Sequence, residues 1–255
     1  MIQRLQTTLH EKVWGSPDTD PWCANPERRN IGEIWFAASD SVPLLVKLLF
    51  TSDNLSVQVH PKDEYAGVHH NSRGKTEMWH ILRAAPDARI ALGLREALEP
   101  EQLREVSLNG RIMELLNWIP VQPGDTYFVP AGTIHAIGGG LALCEVQQYS
   151  DITYRLYDYG RDRELHLDHG VAVSNLSAHT TGKAALPVEC GYFRTDCVEV
   201  RGSTRIAGGR KLYIALSGEG SLGSERFRAG EAFEVDAGEF EIVSPHARFL
   251  VTEAR

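Results

Sequence analysis

This chain of 255 residues has few cysteines, no long apolar run and no excess of basic residues. The apolar run over residues 42–50 is interrupted by Lys47 and is too short for a membrane helix. The first ten residues lack the basic and then apolar pattern of a secretion signal, so a cytoplasmic protein is expected. Reduced thiols are expected too, because no zinc-knuckle or disulfide-framework spacing relates Cys23, Cys144, Cys190 and Cys197.

The net charge of -8 argues against non-specific binding to nucleic acid, which requires a broad basic surface. It does not exclude a small anionic substrate, because a few basic side chains inside a cleft can outweigh the overall balance. A hydrophobic content of 42% and a charged content of 24% are ordinary for a globular protein. The length allows one large domain or two small ones, and no membrane association is expected.

Residues 124–135 read GDTYFVPAGTIH, with the spacing G-x5-P-x-G-x2-H. This spacing resembles the second signature of the cupin β-barrels, in which a strand runs to a Pro-x-Gly turn and a His on the next strand points into the barrel. Earlier in the chain, Ser56, Gln58 and His60 alternate with Val57 and Val59. Because strand side chains alternate between faces, the three polar groups are expected to share one side. Polar groups on an inner barrel wall suggest a metal ion.

Four side chains are candidate ligands for one divalent ion, which needs three or four convergent N or O donors. Gln58 and His60 come from one predicted strand, and His135 comes from the Pro-x-Gly hairpin. Glu77 shares a strand face with Lys75, because they are two residues apart. The remaining histidines are expected to be ordinary core or surface residues; they include His69, His70, His80, His166, His169 and His179.

The order of predicted elements is mainly β with one helical region. Strands are predicted at residues 31–37, 44–50, 56–60, 75–82, 127–129, 133–137 and 141–149, and loops at residues 14–21 and 61–74. Leu, Glu, Gln and Arg are frequent at residues 96–106 and 111–118, which predicts helices there. The three glycines 138–140 are expected to form a hairpin turn, although a phosphate-binding loop is an alternative.

The C-terminal part repeats the glycine spacing of the cupin-like motif. Gly230 aligns with Gly124 and Gly238 with Gly132, but Glu241 stands where His135 would be. We therefore expect a metal-binding cupin domain over residues 1–180, with a helical insertion at about residues 96–118. A degenerate cupin-like β domain without metal ligands would follow over residues 186–255. The alternative is a chance match, because glycines are common in all-β proteins.

Five segments of this chain occur in an order that resembles the type I mannose-6-phosphate isomerases, in particular the short bacterial form. The resemblance is close over about residues 10–175. The segments are IGEIW at residues 31–35, LLVKLL at 44–49, LSVQVHP at 55–61, GKTE at 74–77 and SDITYR at 150–155.

The resemblance implies a zinc-dependent aldose–ketose isomerase that interconverts mannose 6-phosphate and fructose 6-phosphate. Its zinc ligands would be Gln58, His60, Glu77 and His135, with one ion per chain. Arg155 would lie near the reacting carbons of a small phosphorylated sugar. The cleft would be lined by Lys47, Ser56, Lys75, Glu33, Trp14, Glu145 and Asp151.

Isomerisation moves a proton between C1 and C2 through an enediolate, so the site needs a base and a way to stabilise negative charge. Lys75 is the first candidate for the base, because cations beside it are expected to lower its pKa. Glu145 is the second candidate. Ile137 departs from larger members of the family, which carry an aromatic residue two positions after the histidine, and this leaves the sugar in question.

Two other functions compete with the isomerase. A cupin that senses or binds a phosphosugar without turnover has no need of a base beside the ion, so Lys75, Arg155 and Asp151 argue against it. A metal-dependent oxygenase usually has His-x-His where Gln58 and His60 stand. An amide ligand suits zinc better than iron, although manganese and cobalt are alternatives, and the chain could be a monomer or a homodimer.

Overall fold

The computed structural model describes residues 1–178 and 182–255. His179 and the predicted domain limit at residue 180 lie outside the described residues. The helices are α1 (Asp63–His70), α2 (Pro100–Asn109), α3 (Ile112–Leu115) and α4 (Leu167–Val173). The strands are β1 (Ile2–Arg4), β2 (Gln6–Ser16), β3 (Ile31–Ala37), β4 (Leu44–Thr51), β5 (Val57–Val59), β6 (Glu77–Ala84), β7 (Arg89–Leu94), β8 (Leu116–Pro120), β9 (Thr126–Val129), β10 (His135–Ile137), β11 (Leu141–Gln148), β12 (Tyr154–Tyr157), β13 (Val188–Glu189), β14 (Phe193–Ile206), β15 (Gly209–Ser217), β16 (Glu219–Leu222), β17 (Glu225–Arg228), β18 (Ala232–Ala237) and β19 (Phe240–Ala254).

The strands form three antiparallel sheets, which confirms the mainly β prediction. A six-stranded sheet has the order β2-β3-β4-β11-β6-β9, and a five-stranded sheet has the order β12-β5-β10-β7-β8. The third sheet has eight strands and contains β13–β19 together with β1. Within the described residues no sheet closes on itself, so the closed barrel implied by the cupin motif is replaced by two sheets that face each other.

Three apolar layers hold the sheets together. Trp79, Ile90 and Leu143 belong to a cluster between the five-stranded and six-stranded sheets. The opposite face of the six-stranded sheet packs against the eight-stranded sheet through residues such as Leu48 and Leu250. The helices cover the outer face of the five-stranded sheet. The six-stranded sheet is therefore buried on both faces, which explains why β4 and β11 are buried along their whole length.

Three local predictions were wrong. Residues 61–74 contain α1 and not a continuous loop, and residues 14–16 belong to the long strand β2. The predicted helical region is shorter than expected, because the chain from Leu116 onward forms β8. None of the described helices is long and apolar enough to cross a membrane.

The two-domain division remains a prediction, and two features bear on it. Strand β1 pairs with β18, so the first residues of the chain extend the C-terminal sheet. Ser39, in the loop after β3, donates hydrogen bonds from its backbone N–H and its hydroxyl to the buried carboxylate of Glu234 at 2.9 and 2.7 Å. The two parts of the chain therefore share both apolar and polar contacts.

We predict that Leu250→Ala lowers the free energy of unfolding by about 2–5 kcal/mol, because a fully buried leucine is lost from the shared core. Val243→Ala on the same strand is the matched control, since Val243 is 42% exposed, and it should change that free energy by less than about 0.5 kcal/mol. Urea denaturation measures both. Equal losses in the two variants would contradict the placement of this core.

Candidate metal centre and cavity

The candidate metal ligands come from both facing sheets. In the five-stranded sheet His135 of β10 lies directly opposite Gln58 of β5, and Gln58 lies opposite Arg155 of β12. Directly opposed residues of paired strands project to the same face. His60 follows β5, and Glu77 opens β6 in the six-stranded sheet. The space between the sheets thus receives side chains that are far apart in the sequence.

Two glycines permit the close approaches that place these residues. Gly74 precedes Lys75, and a Cβ there would lie 2.6 Å from the backbone nitrogen of Asp63. Gly132 of the Pro-x-Gly turn has a φ of +88°, which favours glycine, and its N–H donates to the carbonyl of His60 at 2.8 Å. This hydrogen bond ties the turn before His135 to the end of the Gln58 strand.

His60, Glu77 and His135 form the one group of three His, Cys, Asp or Glu in the described part of the chain whose ligand atoms lie within 4.8 Å of one another. Each of the three residues is 1% exposed. Nε2 of His60 lies 3.6 Å from Glu77 Oε2, and Nε2 of His135 lies 3.7 Å from Glu77 Oε1. These atoms have the identity and proximity that a divalent ion requires.

The hydrogen bonds behind the imidazoles fix their tautomers. Nδ1 of His60 donates to the carbonyl of Ile152, and Nδ1 of His135 donates to the carbonyl of Thr133, each at 2.8 Å. Each Nε2 therefore carries a lone pair directed into the group, and Nε2 of His135 has no hydrogen-bond partner. A metal-binding histidine usually has this arrangement, because the donor bond orients the ring.

Burial lowers the pKa of His135 to about 4 and lowers the pKa of His60 well below its usual value. Both imidazoles are therefore neutral near pH 7, as metal coordination requires. Burial also raises the pKa of Glu77 to about 7, with the charge of Glu145 adding to this effect. A divalent cation in contact with Glu77 would favour its ionised form. The residues present therefore fit a metal ion.

Lys75 lies against this group. Its Nζ is 3.0 Å from His60 Nε2 and forms an ion pair with Glu77 Oε2 at 2.9 Å. Burial acts to lower the pKa of Lys75, but the carboxylates of Glu77 and Glu145 outweigh it and the pKa is raised. The charges of the protein thus raise the pKa of Lys75, whereas the sequence predicted that this pKa would be lowered.

A cavity of about 280 Å³ adjoins the candidate metal group. Lys75 lines it and also contacts His60 and Glu77, so it connects the cavity to that group. The other predicted site residues that line the cavity are Trp14, Glu33, Lys47, Ser56, Gln58, Glu145, Asp151 and Arg155. The structure therefore brings together all the residues that the sequence suggested for the cleft, while their roles remain predictions.

Sequence reasoning missed several residues of the cavity wall. Lys12, Trp35, Thr153 and Arg163 line the cavity together with apolar side chains. Lys12 could have been found only by recognising β2 as a strand that pairs with β3. Trp35 is two residues after Glu33 on β3 and shares its face, and its indole N–H donates to Glu33 Oε2 at 2.7 Å. The two-residue period of a strand was therefore a usable signal.

Buried charges around the cavity are paired. Lys47 Nζ lies 3.2 Å from Glu145 Oε1, and both side chains are at most 5% exposed. Burial acts to raise the pKa of Glu145, but Lys75 and Lys47 outweigh it and the pKa is lowered.

His80 lies outside the cavity and the candidate metal group. Its Nδ1 is 2.8 Å from the hydroxyl of Thr126, and burial lowers its pKa to about 4.

No protein-family model matches the chain. It is 39% identical over 203 residues to the mannose-6-phosphate isomerase ManA of Bacillus subtilis, covering 72% of this chain and 64% of ManA. It is 35% identical over 224 residues to the probable mannose-6-phosphate isomerase GmuF of Bacillus subtilis, covering 80% of this chain and 70% of GmuF. The chain belongs to the mannose-6-phosphate isomerase family.

Solved structures agree with this membership. The crystal structure of the mannose 6-phosphate isomerase from Bacillus subtilis matches over 99% of both chains, with 27% identity and a TM-score of 0.87. A zinc-bound holo mannose 6-phosphate isomerase shares the fold at 16% identity and a TM-score of 0.76. The fold is thus the cupin fold of this family. This chain nevertheless covers 64% of the length of ManA, which is less than two thirds.

We predict that His135→Ala weakens the binding of a divalent transition-metal ion by more than about 100-fold, because it removes one of the three candidate ligands His60, Glu77 and His135. Elemental analysis and competition with a chromogenic chelator measure this change. His246→Ala, at an exposed histidine paired with Glu199, is the control and should bind like the parent. A stoichiometric ion retained by His135→Ala would exclude the ligand role.

Proposed function

We propose that this chain is a zinc-dependent aldose–ketose isomerase that interconverts mannose 6-phosphate and fructose 6-phosphate. The observation that carries the proposal is the buried group of His60, Glu77 and His135 beside a cavity lined by Lys75, Glu145 and Arg155. Membership of the mannose-6-phosphate isomerase family supports the reaction class. A sensor has no need of a proton-transferring base beside the ion, and Lys75 and Glu145 are the candidates for such a base.

Zinc would be held by His60, Glu77 and His135, with Gln58 as the amide ligand on the same sheet face as His135. Two borderline imidazole nitrogens together with carboxylate and amide oxygens form a donor set that suits zinc. The zinc-bound relative of the same fold supports this choice. When bound, the ion supplies a Lewis acid that stabilises negative charge on the sugar oxygens during isomerisation.

A phosphorylated sugar fits the charge of the cavity. Five basic side chains line it against three acidic ones, although the chain as a whole has a charge of -8. Lys12 and Arg163 are the more exposed of these, with 33% and 28% of their side chains accessible, whereas Lys47 and Lys75 are at most 6% exposed. We place the phosphate at the exposed end, beside Lys12 and Arg163, and the reacting carbons at the buried end, beside Arg155.

The reaction removes a proton from C2 of the aldose and delivers it to C1 through an enediolate, while the hydroxyl proton of O2 moves to O1 to give the ketose. Lys75 and Glu145 are the two candidates for moving this proton, since both line the cavity at its buried end. Arg155 would stabilise the negative charge that develops on the enediolate, because it lines the cavity and its Nη1 is anchored by a hydrogen bond to the carbonyl of Glu164 at 2.7 Å. Trp14, Ser56, Glu33 and Asp151 would orient the sugar.

The direct test is a coupled assay that follows fructose 6-phosphate production from mannose 6-phosphate. We expect activity that is lost after exhaustive chelation and is restored by zinc, because the ion stabilises the charged intermediate. Binding of mannose 6-phosphate by the fully zinc-loaded protein without turnover would replace the isomerase with a phosphosugar sensor. Turnover of a different phosphosugar would keep the reaction class and change the substrate.

Arg155→Ala should lower kcat by about 10²–10³-fold, as expected when one preorganised donor to a developing oxyanion is removed. Zinc content should stay at the parent value, because Arg155 is not among the proposed ligands. Arg104→Ala is the matched control, since Arg104 lies on α2 in an exposed pair with Asp168. An unchanged kcat in Arg155→Ala would remove Arg155 from the mechanism.

A further inference from the structure

Trp79 is fully buried in β6 and its indole N–H is shared between two carboxylates. Nε1 lies 2.9 Å from Glu77 Oε1 and 3.1 Å from Glu145 Oε2. Glu77 is two residues earlier on the same strand face, and Glu145 is directly opposite Trp79 on β11. The indole therefore stands between a proposed zinc ligand and a candidate proton-transfer residue.

The other ends of these carboxylates are already paired. Oε1 of Glu145 contacts Lys47, and Oε2 of Glu77 contacts Lys75. The indole N–H thus joins two buried lysine–carboxylate pairs into one chain of five side chains. Two carboxylates this close repel each other, and a donor between them offsets the repulsion and holds both in one arrangement.

Trp79 contacts the candidate metal group at a second point. Its ring meets the ring of His135 edge-on, with 5.4 Å between the centroids. Trp79 does not line the cavity, so it has no direct route to a substrate. Any influence on the reaction must pass through Glu77, Glu145 or His135.

We propose that Trp79 is a positioning residue, whose indole N–H sets the orientation of the Glu77 carboxylate toward the metal ion and that of Glu145 toward the cavity. This inference rests on the metal site of the proposed function. Donors behind a ligating carboxylate orient it and tune its affinity for the ion. Apolar packing alone would require only an aromatic ring at this position.

Trp79→Phe keeps a buried aromatic ring and removes the N–H, so it separates the two roles. Trp118→Phe is the matched control, because the Trp118 indole also donates one hydrogen bond, to the carbonyl of Met113 at 3.1 Å, outside the site. Zinc affinity is measured on metal-depleted protein by chelator competition, and the visible spectrum is recorded after cobalt loading. Thermal melting verifies that both variants are folded.

We expect Trp79→Phe to bind zinc about 10–100-fold more weakly than the parent, with shifted cobalt d–d bands, while Trp118→Phe matches the parent in both. With mannose 6-phosphate as substrate, kcat should fall and KM should change little, because the cavity wall is intact. A folded Trp79→Phe with parental zinc affinity and an unshifted cobalt spectrum would overturn the proposal.

If Trp79→Phe fails to fold, the unsubstituted protein still provides a test. Its indole N–H signals can be assigned by NMR through single Trp→Phe variants at the other four tryptophans, Trp14, Trp22, Trp35 and Trp118. The Trp79 signal should move on zinc addition by more than that of Trp118, and no movement would overturn the proposal. These readouts report metal binding, so a failure of isomerase turnover with intact zinc binding would count against the proposed activity and not against this role.

Discussion

The site depends on the burial of several charged and ionisable side chains between two sheets. Glu77, Lys75, Lys47 and Glu145 are each at most 5% exposed, and an unpaired charge in such surroundings is costly. Each therefore has a partner of opposite sign within 3.2 Å. This requirement makes the cluster a single unit, because removal of one member leaves a buried charge without compensation.

The placement of these charges follows from strand register. Trp35 opposes Lys47, Lys47 opposes Glu145, and Glu145 opposes Trp79, which gives a row across β3, β4, β11 and β6. A shift of one residue in any of these strands would turn its charged side chain toward the apolar layer that faces the eight-stranded sheet. The C-terminal part of the chain, which carries no ligand of the candidate group, thereby supports the site, because packing on the far face fixes the register.

Much of this arrangement could be predicted from the sequence, and the failures have physical causes. The strand at residues 31–37 and the Pro-x-Gly turn were predicted with their observed limits or close to them, since apolar runs and turn residues mark them directly. Helix α1 was missed because Ala66 is its one buried residue and no apolar face marks it. Strand β2 was missed because most of its first eight residues are polar and none of them is buried.

The candidate site shows the same limit of sequence reasoning. Alternation and motif spacing identified Gln58, His60, Glu77 and His135, because each lies at a strand or beside a turn that the pattern reveals. The contacts of Trp79 depend on the pairing of β6 with β11, which no local pattern specifies. The same pairing brings Glu145 near Lys75, and the carboxylates then raise the pKa of this lysine where the sequence suggested a decrease. A lysine with a raised pKa is protonated near neutral pH and therefore cannot accept a proton. Proton transfer by Lys75 thus requires the ion or the substrate to weaken its pairing with Glu77. Glu145 has a lowered pKa and is ionised without such a change.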